Sequence, residues 1–118
     1  MELKTQSDLI PTARQDGDAV IASVHGEIDL HNSPDLRSAL LSILTQAQPK
    51  KLVLNLSAVP YMDSSAIAVF VESLQKLKKA GGKLCLTNLQ PRVKGLLEIA
   101  RLNTIFVICT DEAEAMTK

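Results

Sequence analysis

The sequence predicts an α/β protein with a mixed, mostly parallel sheet of four to five strands and about four helices. Three observations carry that reading. Short apolar runs alternate with segments whose apolar residues recur every three or four positions. The first two strand-like runs are separated only by Asp16-Gly17-Asp18, so the chain begins with a hairpin. From there on, each strand-like run is followed by a helical pattern, which implies parallel strands joined by right-handed crossovers. The resulting order is β-β-α-β-α-β-α-β-α.

The 118 residues fit one small domain spanning 1–118. A content of 46% hydrophobic and 22% charged residues marks a globular chain. Aromatics are only 3%, with no Trp, so the core must be built from Leu, Ile, Val and Ala.

The elements follow in order. Asp8 to Gln15 and Ala19 to Val24 read as the hairpin strands, and Pro11, which cannot donate to a ladder, makes the first an edge strand. Asn32-Ser33-Pro34-Asp35 is a helix start, with Ser33 as N-cap, Pro34 at the first helical position and Asp35 in the first turn. Leu36, Leu40, Ile43 and Leu44 form its apolar face, and Pro49 lies beyond its end. Lys51 to Leu56, apolar at nearly every position, reads as a central strand.

A long helix is expected over Ser64 to Ala80, with Ile67, Phe70, Val71, Leu74 and Leu77 on its buried face and a Glu72–Lys76 pair on the other. Gly81-Gly82 supplies its left-handed stop. Lys83 to Thr87 is a strand. Pro91 to Ala100 is a short helix with Val93, Leu96, Leu97 and Ala100 inward and Asn103 ending it. Thr104 to Cys109 is the last strand, and Asp111-Glu112-Ala113-Glu114 has the spacing of a capped terminal helix.

Composition also excludes classes of function. Thirteen basic residues balance thirteen acidic ones, which leaves no electrostatic footprint for nucleic acid or for polybasic attachment to a membrane. Cys85 and Cys109 each sit in an apolar run and read as buried, reduced thiols. No Cys/His cluster has metal-ligand spacing, and His25 and His31 are isolated, so no metal is expected. Neither phosphate-cradling glycine motif is present, and Gly81-Gly82-Lys83 falls at a helix end rather than a helix start, so no nucleotide cofactor is expected. Met1-Glu2-Leu3-Lys4 lacks a signal-peptide core, and no apolar run reaches membrane-spanning length, which gives a cytoplasmic expectation.

Two polar loops remain as candidate sites. Asp63-Ser64-Ser65 falls where the central strand gives way to the long helix. Open α/β sheets place binding surfaces at such points, and a helix N-terminus favours negative charge. One N-cap accounts for one of these residues, but three consecutive small polar groups exceed that need. Glu27 to Asn32 is the second loop, and if the two strands are neighbours Asp29 lies near Ser64. The alternative readings are helix capping for the first loop and a solvated connection for the second. A serine hydrolase would need a base and an oxyanion hole that no spacing here supplies, and the segment is not G-x-S-x-G.

With these segments placed, the chain resembles the STAS domain family, and within it the bacterial anti-sigma factor antagonists. The matching residues are Gly26-Glu27-Ile28-Asp29, Leu52 to Leu56, Tyr61-Met62-Asp63-Ser64-Ser65, the Gly81-Gly82 turn and Pro91 to Leu97. The resemblance implies a STAS-type sheet with four helices and a regulatory protein that is not an enzyme.

In that family the unphosphorylated antagonist binds an anti-sigma factor that is also a serine kinase, and so frees a sigma factor. A metal-dependent phosphatase reverses the kinase's action. By resemblance the acceptor is Ser64, with Ser65 the alternative, because the residues themselves favour neither. Asp29, Asp63, Ser64, Ser65, Ala66 and Ile67 are the expected partner-binding residues.

Ala66 and Ala68 stand where the family motif carries glycines. Alanine is the better helix former by roughly 1 kcal/mol per site. It also puts a methyl where glycine would let a partner backbone approach closely. The other functional expectation is a constitutive STAS scaffold subunit of a stress-sensing or lipid-transport assembly.

Overall fold

The computed structural model describes residues 2–5 and 7–118; Met1, part of the N-terminal reading above, and Gln6 lie outside them. The elements run β1 (Thr12–Asp16), β2 (Ala19–His25), α1 (Ser33–Ala47), β3 (Lys51–Ala58), α2 (Ser64–Lys79), β4 (Lys83–Thr87), α3 (Pro91–Ile99), β5 (Val107–Cys109) and α4 (Glu112–Met116). The five strands lie in sequence order. β1 pairs antiparallel with β2, and every other pairing is parallel. The expected order and sheet type are therefore present.

The strand alternation splits the core between two faces. On one, Val20, Ala22, Val24, Leu52, Leu54, Leu56, Leu84 and Leu86 pack with the buried residues of α1, α2 and α3. On the other, Ile21, Val53, Cys85 and Cys109 pack with Ala115 of α4. Both thiols are buried and unbridged, as expected. α4 is five residues long and is fixed largely by polar contacts. Lys51 Nζ donates to the Ala115 and Met116 carbonyls, while Arg14 and Asn55 reach the Glu112 carboxylate.

Several boundaries differ from the sequence reading. β1 starts at Thr12 rather than Asp8, because Asp8-Leu9 forms a turn in which Ser7 Oγ accepts from Leu9 N–H at 3.1 Å. Asn32, not Ser33, precedes the first residue of α1. Ala100 is exposed and caps α3, which ends at Ile99, with Arg101 rather than Asn103 turning the chain. Arg101 takes a left-handed φ of 58°, while Arg101 and Leu102 donate back to the Glu98 and Leu97 carbonyls. That turn absorbs the residues read as the start of the last strand, so β5 begins only at Val107. Glu72 pairs directly with Arg37 of α1, at 2.6 and 2.8 Å, while Lys76 of its own helix adds a weaker electrostatic attraction. The fork geometry of Arg favours that bidentate pair over an i,i+4 contact.

The Gly81-Gly82 stop behaves as read, with two distinct tasks. Gly81 has φ 78° and donates to Lys78, while Gly82 donates to Leu77. A Cβ at Gly82 would lie 2.8 Å from the Lys50 carbonyl oxygen and 3.3 Å from Leu77. The obstacle at 2.8 Å is backbone, and that oxygen also accepts from Lys83 N–H, so it has little freedom to move. Gly82→Ala is expected to destabilise by about 1–3 kcal/mol, the usual cost of overpacking. A urea midpoint unchanged from the native chain would count against this account.

Candidate functional site

The site forms where the chain leaves the carboxyl ends of β2 and β3. Beyond the strands, Ile28 and Met62 make one isolated parallel bridge. Ile28 N–H donates to the Tyr61 carbonyl and Asp63 N–H to the Ile28 carbonyl, both at 3.1 Å. Ile28 and Met62 are buried and pin the two loops together. The residues that follow them, Asp29 and Asp63, therefore emerge side by side, so the sequence expectation that these loops meet holds at the backbone.

Each carboxylate accepts from backbone N–H groups of its own loop. Asp29 Oδ1 accepts from His31 N–H at 2.8 Å and Asn32 N–H at 3.3 Å, while Ser33 N–H donates to the Asp29 carbonyl. Asp29 thus closes the turn that leads into α1, which is why Ser33 does not act as the N-cap. Asn32 in turn accepts from Asp29 N–H and donates to the Glu27 carbonyl.

Asp63 is the N-cap of α2. Its Oδ1 accepts from Ser65 N–H at 2.9 Å and from the Ser65 hydroxyl. The Ser65 hydroxyl is the main cause that holds the Asp63 carboxyl below the ordinary carboxylate range; burial opposes it, and nearby backbone N–H groups add to the lowering.

The sign of that shift fixes a pH dependence. A carboxyl with a lowered folded-state pKa stabilises the fold above its unfolded value of about 3.9. The contribution fades as pH falls through the still lower folded value. Asp63→Asn should therefore melt at a lower temperature than the native chain at neutral pH, with the gap narrowing below about pH 4. A gap that stayed constant in thermal melts from neutral to acid pH would show that the Asp63 charge plays no part.

This capping separates the two serines. The Ser65 hydroxyl is half-buried and donates to Asp63. Ser64 is exposed, and among the described residues its hydroxyl has no hydrogen-bond partner. Of the other residues expected to meet a partner, Ala66 is 0% and Ile67 7% exposed, so both side chains face the core. Ala68 is exposed, so only one of the two methyls replacing glycine faces outward.

The structure adds residues the sequence reading did not assign to the site. Leu30, 76% exposed, stands at the tip of the Glu27–Asn32 loop and leaves a large apolar side chain uncovered there. A second apolar residue two positions after Ile28, which already fills the buried bridge, was its available signal. The ring of Tyr61, just before the bridge, carries the Arg92 guanidinium at 4.8 Å from its centroid. Gln90 Nε2 donates to the Ser57 carbonyl at 2.7 Å and so holds the start of α3 against the end of β3. Among the described residues no helix is long and apolar enough to cross a membrane.

The comparisons with known proteins agree with this architecture. The family model for the STAS domain matches residues 11–115. An anti-sigma-B factor antagonist of Bacillus subtilis is 35% identical over 80% of this chain and 85% of its own length. The crystal structure of an anti-sigma factor antagonist from Mycobacterium paratuberculosis superposes with a TM-score of 0.80 at 25% identity, covering 89% of this chain and 88% of that one. The Bacillus cell fate determinant SpoIIAA, solved in its phosphorylated form, superposes with a TM-score of 0.67 at 21% identity, covering 89% of this chain and 95% of that one.

Proposed function

The chain belongs to the STAS domain family, and on that premise we propose that it is an anti-sigma factor antagonist switched by phosphorylation of Ser64. It acts as a binding partner rather than a catalyst. Its unphosphorylated form docks an anti-sigma factor that is also a serine kinase, and so frees a sigma factor in the cytoplasm. The kinase transfers the γ-phosphoryl group of ATP to Ser64 Oγ, releasing ADP and the hydroxyl proton. A metal-dependent phosphatase hydrolyses the phosphoserine.

The observation that carries this reading is the division of labour between the serines. Ser65 is committed to the α2 cap, whereas Ser64 is exposed with an unengaged hydroxyl. The exposed Leu30 side chain on the adjoining Glu27–Asn32 loop offers an apolar contact to a docking partner. The names of the relatives support the general role, and the phosphorylated form of SpoIIAA supports a phosphate on this fold.

The test is incubation with ATP and a cognate kinase, followed by mass spectrometry of the peptides. Phosphate on Ser64, and none in Ser64→Ala, is the expected result. Phosphate on Ser65 would overturn the assignment of the acceptor. No phosphate on a chain that still binds its partner would favour the constitutive scaffold.

A further inference from the structure

A phosphate on Ser64 needs a counter-charge, and the folded site offers little from its backbone. Helix N-termini ordinarily receive anions through their free N–H groups. Here the Ser65 N–H already donates to Asp63 Oδ1 at 2.9 Å, and the Ala66 N–H donates to the Asp63 carbonyl at 3.1 Å. Asp29 likewise occupies the N–H groups of His31 and Asn32. These N–H groups are engaged within the chain, and Asp29 and Asp63 add two carboxylates to this rim.

Among the described residues, His31 Nδ1 lies 3.8 Å from Asp29 Oδ1, and a guanidinium stands beside the loop that carries Tyr61. Arg92, exposed in the first turn of α3, lays its guanidinium over the Tyr61 ring. Among the described residues it has no carboxylate partner. Tyr61 lies three residues before Ser64, and its carbonyl takes part in the bridge that joins the two loops. The Gln90–Ser57 hydrogen bond keeps the start of α3 beside the loop that carries Tyr61. An exposed guanidinium on a ring is held weakly, and a phosphate offers the same fork a bidentate, charge-assisted pair.

We propose that Arg92 is the phosphate-pairing residue of the switch. It swings from the Tyr61 ring to the phosphate on Ser64 and ties the start of α2 to the start of α3. The phosphorylated surface then differs from the unphosphorylated one in two respects. It carries the phosphate, and the Tyr61 ring is uncovered. This rests on reading Ser64 as the acceptor.

The test places phosphoserine at position 64 of the full chain during synthesis, by genetic encoding, so that no kinase is involved. The phosphorus resonance is then followed by NMR from about pH 4.5 to 8, which spans a phosphoserine's second pKa of about 6. Pairing with Arg92 favours the dianion, so the native chain should titrate lower than Arg92→Ala and Arg92→Gln by about half a unit or more. Arg92→Lys should fall between. The Tyr61 ring resonances should shift on phosphorylation in the native chain and not in Arg92→Ala.

Equal midpoints in the native chain, Arg92→Ala and Arg92→Gln would overturn the proposal. Arg92 is exposed, so circular dichroism is expected to show all three variants folded. A kinase that ignored Ser64 would defeat the proposed function without altering this titration, so the two failures are distinguishable.

Discussion

Ser64→Asp is expected to weaken binding to the cognate anti-sigma factor by about 100-fold or more, since like charges opposed across an interface cost several kcal/mol. The fold should survive the change. Ser64 is the first residue of α2 and is exposed, and an added carboxylate near a helix N-terminus is tolerated or mildly favourable. The harm falls on the partner, which would meet a third carboxylate beside Asp29 and Asp63.

Ser64→Ala removes only the hydroxyl and should bind like the native chain while resisting phosphorylation. The measurement is titration calorimetry of the three proteins against the kinase, with thermal melts alongside. Equal affinity for all three would sink the switch. Unfolding of Ser64→Asp would show that the charge acts through stability instead.

Phe70→Ala is expected to cost about 3–5 kcal/mol of stability, as large aromatic truncations in well-packed cores do. Phe70 lies on the inner face of α2 and is the largest of the fully buried side chains. The sequence has only two Phe and no Trp, so aliphatic neighbours have little aromatic bulk with which to refill the space. Small domains hold only about 5–15 kcal/mol in total, so this one change removes a large share of it. Urea unfolding followed by circular dichroism should give a strongly lowered midpoint with a similar slope. A loss below about 1 kcal/mol would mean that the core collapses around the gap far better than usual.

Much of the fold was legible because its signals are local. Apolar runs and spacings, a hairpin turn and capping residues together located the elements and ordered them. Gly81 at a left-handed position and Asp111 accepting from Glu114 N–H at 2.9 Å were both readable from short spacings. The errors were local signals overruled by contacts from elsewhere. Ser33 looks like a cap, but Asp29, four residues earlier, already closes that turn. Asn103 looks like a helix stop, yet Arg101 takes the left-handed position first, within a turn that carries the chain toward β5. Glu72 has a lysine at the right spacing, yet Arg37 on the neighbouring helix presents a better fork.

At the candidate site the same division holds. The sequence by itself determined the α/β order, the placement of Asp63-Ser64-Ser65 at a strand-to-helix junction, and the second polar loop that would face it. These follow from periodicity and capping chemistry, which act over a few residues. Only the tertiary structure decided which serine is free. Asp63 engages the Ser65 hydroxyl and leaves Ser64 exposed with its hydroxyl unengaged. It alone brought Arg92 over Tyr61 and turned Ala66 inward while leaving Ala68 exposed. The physical reason is that a donor or a cation has several partners within reach along the chain, and packing decides which of them it meets.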